Sequence, residues 1–133
     1  MRVFTDTNIL VSSLAFGGFS GRLVDLLLEK HEVFVSPQVL SELKRNMVVK
    51  FDWEAGEVDS FIRDFLTVAN LVSPPFERKF PVRDPDDIDI LAAAVKSNSD
   101  VLVTGDKDLL EVVDPPIPIM TPRALYDLLF ANE

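Results

Sequence analysis

The chain has 133 residues, 47% of them hydrophobic and 26% charged, which is enough to build a compact core and excludes general disorder. Its 22 Asp and Glu outnumber 13 Lys and Arg for a formal charge of −9, against the clustered cations expected of a protein that coats DNA. With no cysteine and one histidine, His31, it offers neither a disulfide scaffold nor a thiolate or multi-histidine metal site, so any chemistry falls to carboxylates, hydroxyls, Lys and Arg.

The segment Arg2 to Asp6 reads as a strand that stops at Asp6-Thr7-Asn8, a helix-start pattern, giving a strand-to-helix entry. Gly17-Gly18 then breaks the chain, and from Ser20 the spacing of Leu23, Leu26 and Leu27 predicts an amphipathic helix. Val33-Phe34-Val35 is a second strand. Ser36-Pro37 supplies a cap followed by a proline at the first helical position, and Val39, Leu40, Leu43 and Met47 give that helix a buried stripe running to about Val49. Asp52 is expected to cap the next helix, whose apolar positions are Val58, Phe61, Ile62, Phe65, Leu66 and Ala69.

Leu71-Val72-Ser73 offers a short strand, and residues 74–85 form the most loop-like stretch of the chain. A helix is predicted over 86–98, a strand over 100–104 ending at the Gly105-Asp106 turn, and a short helix over 108–113. Ile117 to Met120 suits an edge strand that tolerates Pro118, and Thr121-Pro122 opens a last helix. No repeat or linker divides the sequence, so one domain over 1–133 is expected. Strands alternating with helices imply a mostly parallel sheet of roughly five strands, helices on both faces, and a ligand site beyond the carboxyl ends of the strands.

Two acids, Asp6 and Asp106, stand where parallel strands end, on the same edge of the sheet. Each alone is also an ordinary cap or turn residue. Asp87 shares the apolar helical face of Ile90, Leu91, Ala94 and Val95, a placement that calls for a basic partner or a cation. Asp89 lies about 200° around that helix and should face solvent. Glu42 flanks the apolar stripe of its helix and can reach over the sheet edge, or else pair with Arg45 or Asn46 one turn on. Several hard oxygen donors without Cys or usable His suit Mg²⁺ or Mn²⁺, and carboxylate-held ions of this kind serve phosphodiester hydrolysis.

Three blocks, Phe4-Thr5-Asp6-Thr7-Asn8-Ile9-Leu10-Val11-Ser12, Arg83-Asp84-Pro85-Asp86-Asp87 and Val103-Thr104-Gly105-Asp106-Lys107-Asp108-Leu109-Leu110, together resemble a PIN domain, in the family's order and across essentially the whole chain. The similarity is greatest to the branch of toxin components of toxin–antitoxin modules. It implies an α/β fold built as a three-layer α/β/α sandwich, and a metal-dependent endoribonuclease using Mg²⁺ or Mn²⁺. Carried over by position, Asp6, Glu42, Asp87 and Asp106 would be the catalytic, metal-holding acids, with Asn8, Thr104 and Asp108 as auxiliary residues. The family's third acid aligns with Asp86, Asp87 or Asp89, and helical phase selects Asp87.

The resemblance further implies an RNA substrate and an antitoxin protein as partner, and the converging acids lead us to expect hydrolysis by a metal-bound water that leaves 5′-phosphate and 3′-hydroxyl ends. Lys44, Arg45, Lys79, Arg83 and Lys107 lie near the acid blocks and could hold RNA, although no interleaving of aromatic and basic residues along the sequence supports a stacking groove. The faces around Phe61, Phe65 and Leu66, and around Tyr126, Leu129 and Phe130, could support a homodimer but suit the core better. The alternative within enzymes, a haloacid-dehalogenase-like phosphatase, lacks a second Asp and a Gly-Thr after Asp6. The alternative outside enzymes is a catalytically silent domain of the same fold that binds RNA or a protein. No apolar stretch approaches the roughly 20 residues needed to cross a bilayer and no signal-peptide pattern is present, so a soluble cytoplasmic protein with no membrane partner is expected.

Overall fold

The computed structural model describes residues 1–80 and 82–131. Its elements follow the order β1 (Arg2–Thr5), α1 (Thr7–Phe16), α2 (Gly18–Lys30), β2 (Glu32–Val35), α3 (Pro37–Phe51), α4 (Ala55–Phe65) and β3 (Asn70–Leu71), then α5 (Pro85–Lys96), β4 (Val101–Val103), α6 (Lys107–Leu110), β5 (Ile119–Met120) and α7 (Pro122–Ala131). The strands form one parallel sheet in the order β3-β2-β1-β4-β5. The α/β architecture expected from the alternation is therefore present, with five strands.

β1 is central because it is apolar on both faces: Val3 and Phe4 are both fully buried, and the strand pairs with β2 through Phe4–Phe34 and with β4 through Phe4–Leu102. Short continuous apolar strands of this kind are what a parallel sheet covered on both sides requires. The helices supply the cover with Leu10, Leu23, Leu27, Leu43, Met47, Leu91 and Leu125, all of them buried. The chain turns outward between β1 and β4, on either side of which the connections run in opposite directions, so the carboxyl ends of these two strands border a crevice.

Several boundaries differ from the sequence reading. The break after α1 is one residue, Gly17, at φ 65° and ψ −111°, a conformation closed to side chains with a Cβ, and α2 starts at Gly18. Asp52 does not cap α4. It adopts the left-handed conformation at the end of α3, with its N–H on the Met47 carbonyl, and Glu54 caps α4 through a reciprocal box with Glu57. The third strand pairs at Asn70–Leu71 rather than Leu71 to Ser73, and α6 covers Lys107–Leu110 rather than 108–113. β5 is an edge strand, as Pro118 requires, and is confined to Ile119–Met120. The side chains of Phe65 and Leu129 are buried, and Phe61, Leu66 and Tyr126 pack against the core, so the two faces considered for a dimer turn mainly inward. Phe130, at 45% exposure, is the exception. Among the described residues no single helix is long and apolar enough to cross a membrane.

Candidate metal centre

The carboxyl ends of β1 and β4 deliver the first two acids. β1 stops at Asp6 because its side chain accepts the Thr7 N–H at 2.7 Å, capping α1. β4 stops before Thr104, and Asp106 caps α6 by accepting the Asp108 N–H at 2.9 Å. The two turns are tied together. Thr104 Oγ1 donates to Asp6 Oδ2 at 2.7 Å and accepts the Asp106 N–H at 3.0 Å. Asn8 Nδ2 donates to Asp6 Oδ2 at 3.1 Å and lies 3.3 Å from Thr104 Oγ1, while Asn8 Oδ1 accepts the Gly105 N–H at 2.9 Å. A Cβ at Gly105 would stand 3.4 Å from Asn8 Oδ1, so glycine lets the β4 turn close on α1.

α5 delivers the third acid. Asp84 caps the helix by accepting the Asp86 N–H, and Pro85 occupies its first turn, which fixes the helical phase so that Asp87 faces inward beside Ile90 and Leu91. Asp87 is only 7% exposed. Its Oδ2 is buried with no hydrogen-bond partner. Oxygens of Asp87, Asp106 and Asp108 lie within 4.8 Å of one another. α3 delivers Glu42, whose Oε2 accepts from Thr7 Oγ1 at 2.9 Å and whose Oε1 accepts from Gln38 Nε2 at 3.1 Å.

The structure thus gathers Asp6, Glu42, Asp87 and Asp106 around one cleft of about 580 Å³, lined also by Asp84, Asp86 and Asn8. Asp86 is exposed on the rim, whereas Asp89 turns away and pairs with Arg78 at 2.9 Å. Glu42 does not pair with Arg45 or Asn46 through any hydrogen bond or ion pair. Its partners Thr7 and Gln38 were missed by the sequence reading, although Gln38 precedes Glu42 by one helical turn and could have been found from that spacing.

Crowding of carboxylates sets the electrostatics. Burial pushes Asp87 up to about 7, aided by the negative charges of Asp106, Asp84 and Asp6 and by a hydrogen bond with Asp106 that favours its protonated form. Burial also raises Asp6, against the hydrogen bonds from Thr104 and the Thr7 N–H and with the charges of Glu42 and Asp106. Among the described residues no cationic side chain bonds to the cluster: Lys44 pairs with Asp59, Lys79 with Glu77, and Arg83 lines a separate depression with Val82 and Asp108. Lys107 is exposed outside the cleft lining, and only Arg45 of the basic residues considered from sequence lines the cleft. Hard oxygen donors around an unpartnered buried carboxylate oxygen fit a divalent cation such as Mg²⁺ or Mn²⁺.

This fold recurs in known proteins. The structure is similar to that of VapBC2 from Rickettsia felis bound to a DNA fragment from its promoter, at 18% identity and a TM-score of 0.67, covering 91% of this chain and 98% of the other. VapBC-1 from nontypeable Haemophilus influenzae matches at 18% identity and 0.64, covering 92% and 99%. Mycobacterium tuberculosis VapC20, a sarcin–ricin loop cleaving toxin, matches at 18% and 0.60, covering 84% and 97%. No curated protein matches the sequence itself. The PIN domain family profile matches residues 2–108, spanning all three acid-bearing blocks, and the chain belongs to the PIN domain family.

Proposed function

We propose that this protein is a metal-dependent endoribonuclease and the toxin of a toxin–antitoxin pair. The observation that carries the reading is Asp87: a buried carboxylate with an orphaned oxygen, close to Asp106 and Asp108 and, among the described residues, with no cationic side chain bonded to it or to either of them. Asp6, Glu42, Asp87 and Asp106 would hold one or two Mg²⁺ or Mn²⁺ ions, with Asp108 close enough to join them. Bound there, such ions supply the charge that activates water and neutralises the leaving oxygen of a phosphodiester. Thr104 and Asn8 fix the Asp6 carboxylate in place, and Gln38 and Thr7 do the same for Glu42. Asp87 holds a proton near neutral pH so long as no cation faces it, so cation affinity rises with pH.

RNA as substrate and an antitoxin as partner are supported by the similarity to VapC20 and to the VapBC assemblies. The test is cleavage of structured and single-stranded RNAs, a sarcin–ricin loop hairpin among them, with Mg²⁺ or Mn²⁺ and with EDTA. The expected products carry 5′-phosphate and 3′-hydroxyl ends, and Asp106→Asn loses at least a hundredfold in rate while remaining folded. Cleavage that persists in EDTA and leaves 2′,3′-cyclic phosphate ends would overturn the reading. Failure of the folded wild type to bind Mn²⁺ with or without RNA points instead to a silent binding domain.

A further inference from the structure

The cleft does not end at the acids. One face of α3 presents Gln38, Glu42, Arg45, Asn46 and Lys50, at positions i, i+4, i+7, i+8 and i+12, a single helical stripe along the wall of the cleft. The facing wall is α1, which presents Asn8, Val11, Ser12 and Phe16 in the same periodicity. Polarity changes along the cleft. The end at Asn8 and Glu42 is acidic, whereas the end at Arg45, Lys50 and Phe16 is cationic and aromatic, and from Glu42 to Lys50 the helix advances roughly 12 Å.

The groups at that far end are unspent. Phe16 is 74% exposed and meets Phe51 in a T-shaped contact at a centroid distance of 5.5 Å, so most of its ring faces solvent. Arg45 and Lys50 are exposed and, among the described residues, have no ion pair or hydrogen bond, whereas Lys44 on the same helix is held by Asp59. On a chain of net charge −9, two free cations beside an open aromatic ring at one end of a cleft are a local reversal of sign. The sequence conceals this, because the aromatic and the basic residues come from different helices and interleave only in space.

We propose that Phe16, Arg45 and Lys50 form a subsite for single-stranded RNA, in which a base stacks on Phe16 and the two cations hold backbone phosphates a short distance from the scissile bond. The chemistry favours a flexible nucleic-acid strand: stacking on an open ring tolerates any base, and paired cations suit phosphates. A rigid duplex would keep its bases away from Phe16. The proposal rests on the nuclease reading and specifies how its substrate is held. Phe16, Arg45 and Lys50 are positioning residues, remote from the reacting atoms.

The test is equilibrium binding of a fluorescein-labelled, mixed-sequence single-stranded RNA of ten nucleotides, read by anisotropy in an Asp106→Asn background. Phe16→Ala and the double variant Arg45→Ala/Lys50→Ala should each raise Kd about tenfold. The double variant alone should flatten the slope of log Kd against log salt, by about 1.4 for two lost phosphate contacts. Phe16→Trp and Lys50→Arg should restore binding, which separates lost contacts from misfolding. Unchanged Kd and unchanged slope in all variants overturn the subsite, as does loss of affinity for a protein partner with RNA affinity intact. Failure of the nuclease reading shows differently: the variants still weaken RNA binding, but the wild-type protein releases no product with Mg²⁺ or Mn²⁺.

Discussion

Asp87 sits where a hydrophobic residue would serve stability better. Ionising it costs the folded protein more than the unfolded chain, where its ordinary value is near 3.8, so the stability held by the protonated form is complete below that value and is lost as pH rises through about 7. Asp87→Asn is therefore expected to melt higher than wild type at pH 8 without divalent cations, by several °C, and the difference should shrink at pH 5. Thermal unfolding followed by circular dichroism at the two pH values checks this. An equal melting temperature at pH 8 would mean that Asp87 is solvated. Helical phase made this residue legible in the sequence, because an acid amid Ile90, Leu91 and Ala94 has only one face to occupy. Its orphaned oxygen and its proximity to Asp108 were not legible, since they depend on the packing of α5 against the turn after β4.

At the scale of elements, α3 carries the core with one face and the cleft with the other. Val39, Leu43 and Met47 are fully buried, while Gln38, Glu42, Arg45, Asn46 and Lys50 line the cleft. Its start is set by Ser36, whose hydroxyl accepts the Val39 N–H at 3.3 Å, with proline following. Ser36→Ala should cost about 1 kcal/mol, a fall of roughly 4 °C in melting temperature. RNA cleavage at 25 °C should be retained, because the cap lies outside the cleft; loss of activity in a folded variant would show that it also positions Glu42. The cap and the apolar stripe were read directly from Ser36-Pro37 and its spacing. The end of the helix was not, because Asp52 in a left-handed conformation resembles a cap of the following helix until the backbone is seen. Short pairings such as Asn70–Leu71 were misplaced for a similar reason: two residues carry too little alternation to fix a register, which is set instead by the partner strand.

For the whole molecule, six of the acids, Asp6, Glu42, Asp84, Asp86, Asp87 and Asp106, meet on one cleft. Mutual repulsion there is a standing cost that a bound divalent cation would relieve. At about a hundred times its Kd, Mn²⁺ should add about 2.7 kcal/mol, lifting the melting temperature by roughly 10 °C. Asp106→Asn should gain little at the same concentration. A calorimetric scan with and without the ion measures both, and an equal gain in the variant would place the stabilising cation elsewhere.

The acids of the cleft are far apart along the chain: Thr104 reaches back across 98 residues to fix Asp6, and this contact exists only once β4 has taken its place beside β1. During synthesis, β1, β2 and the helices between them can form a partial sheet long before the ribosome has released β4. That partial sheet lacks Asp87, Thr104 and Asp106, so the cluster of acids cannot assemble in it. The acid cluster is complete only once β4, the last interior strand, lies beside β1.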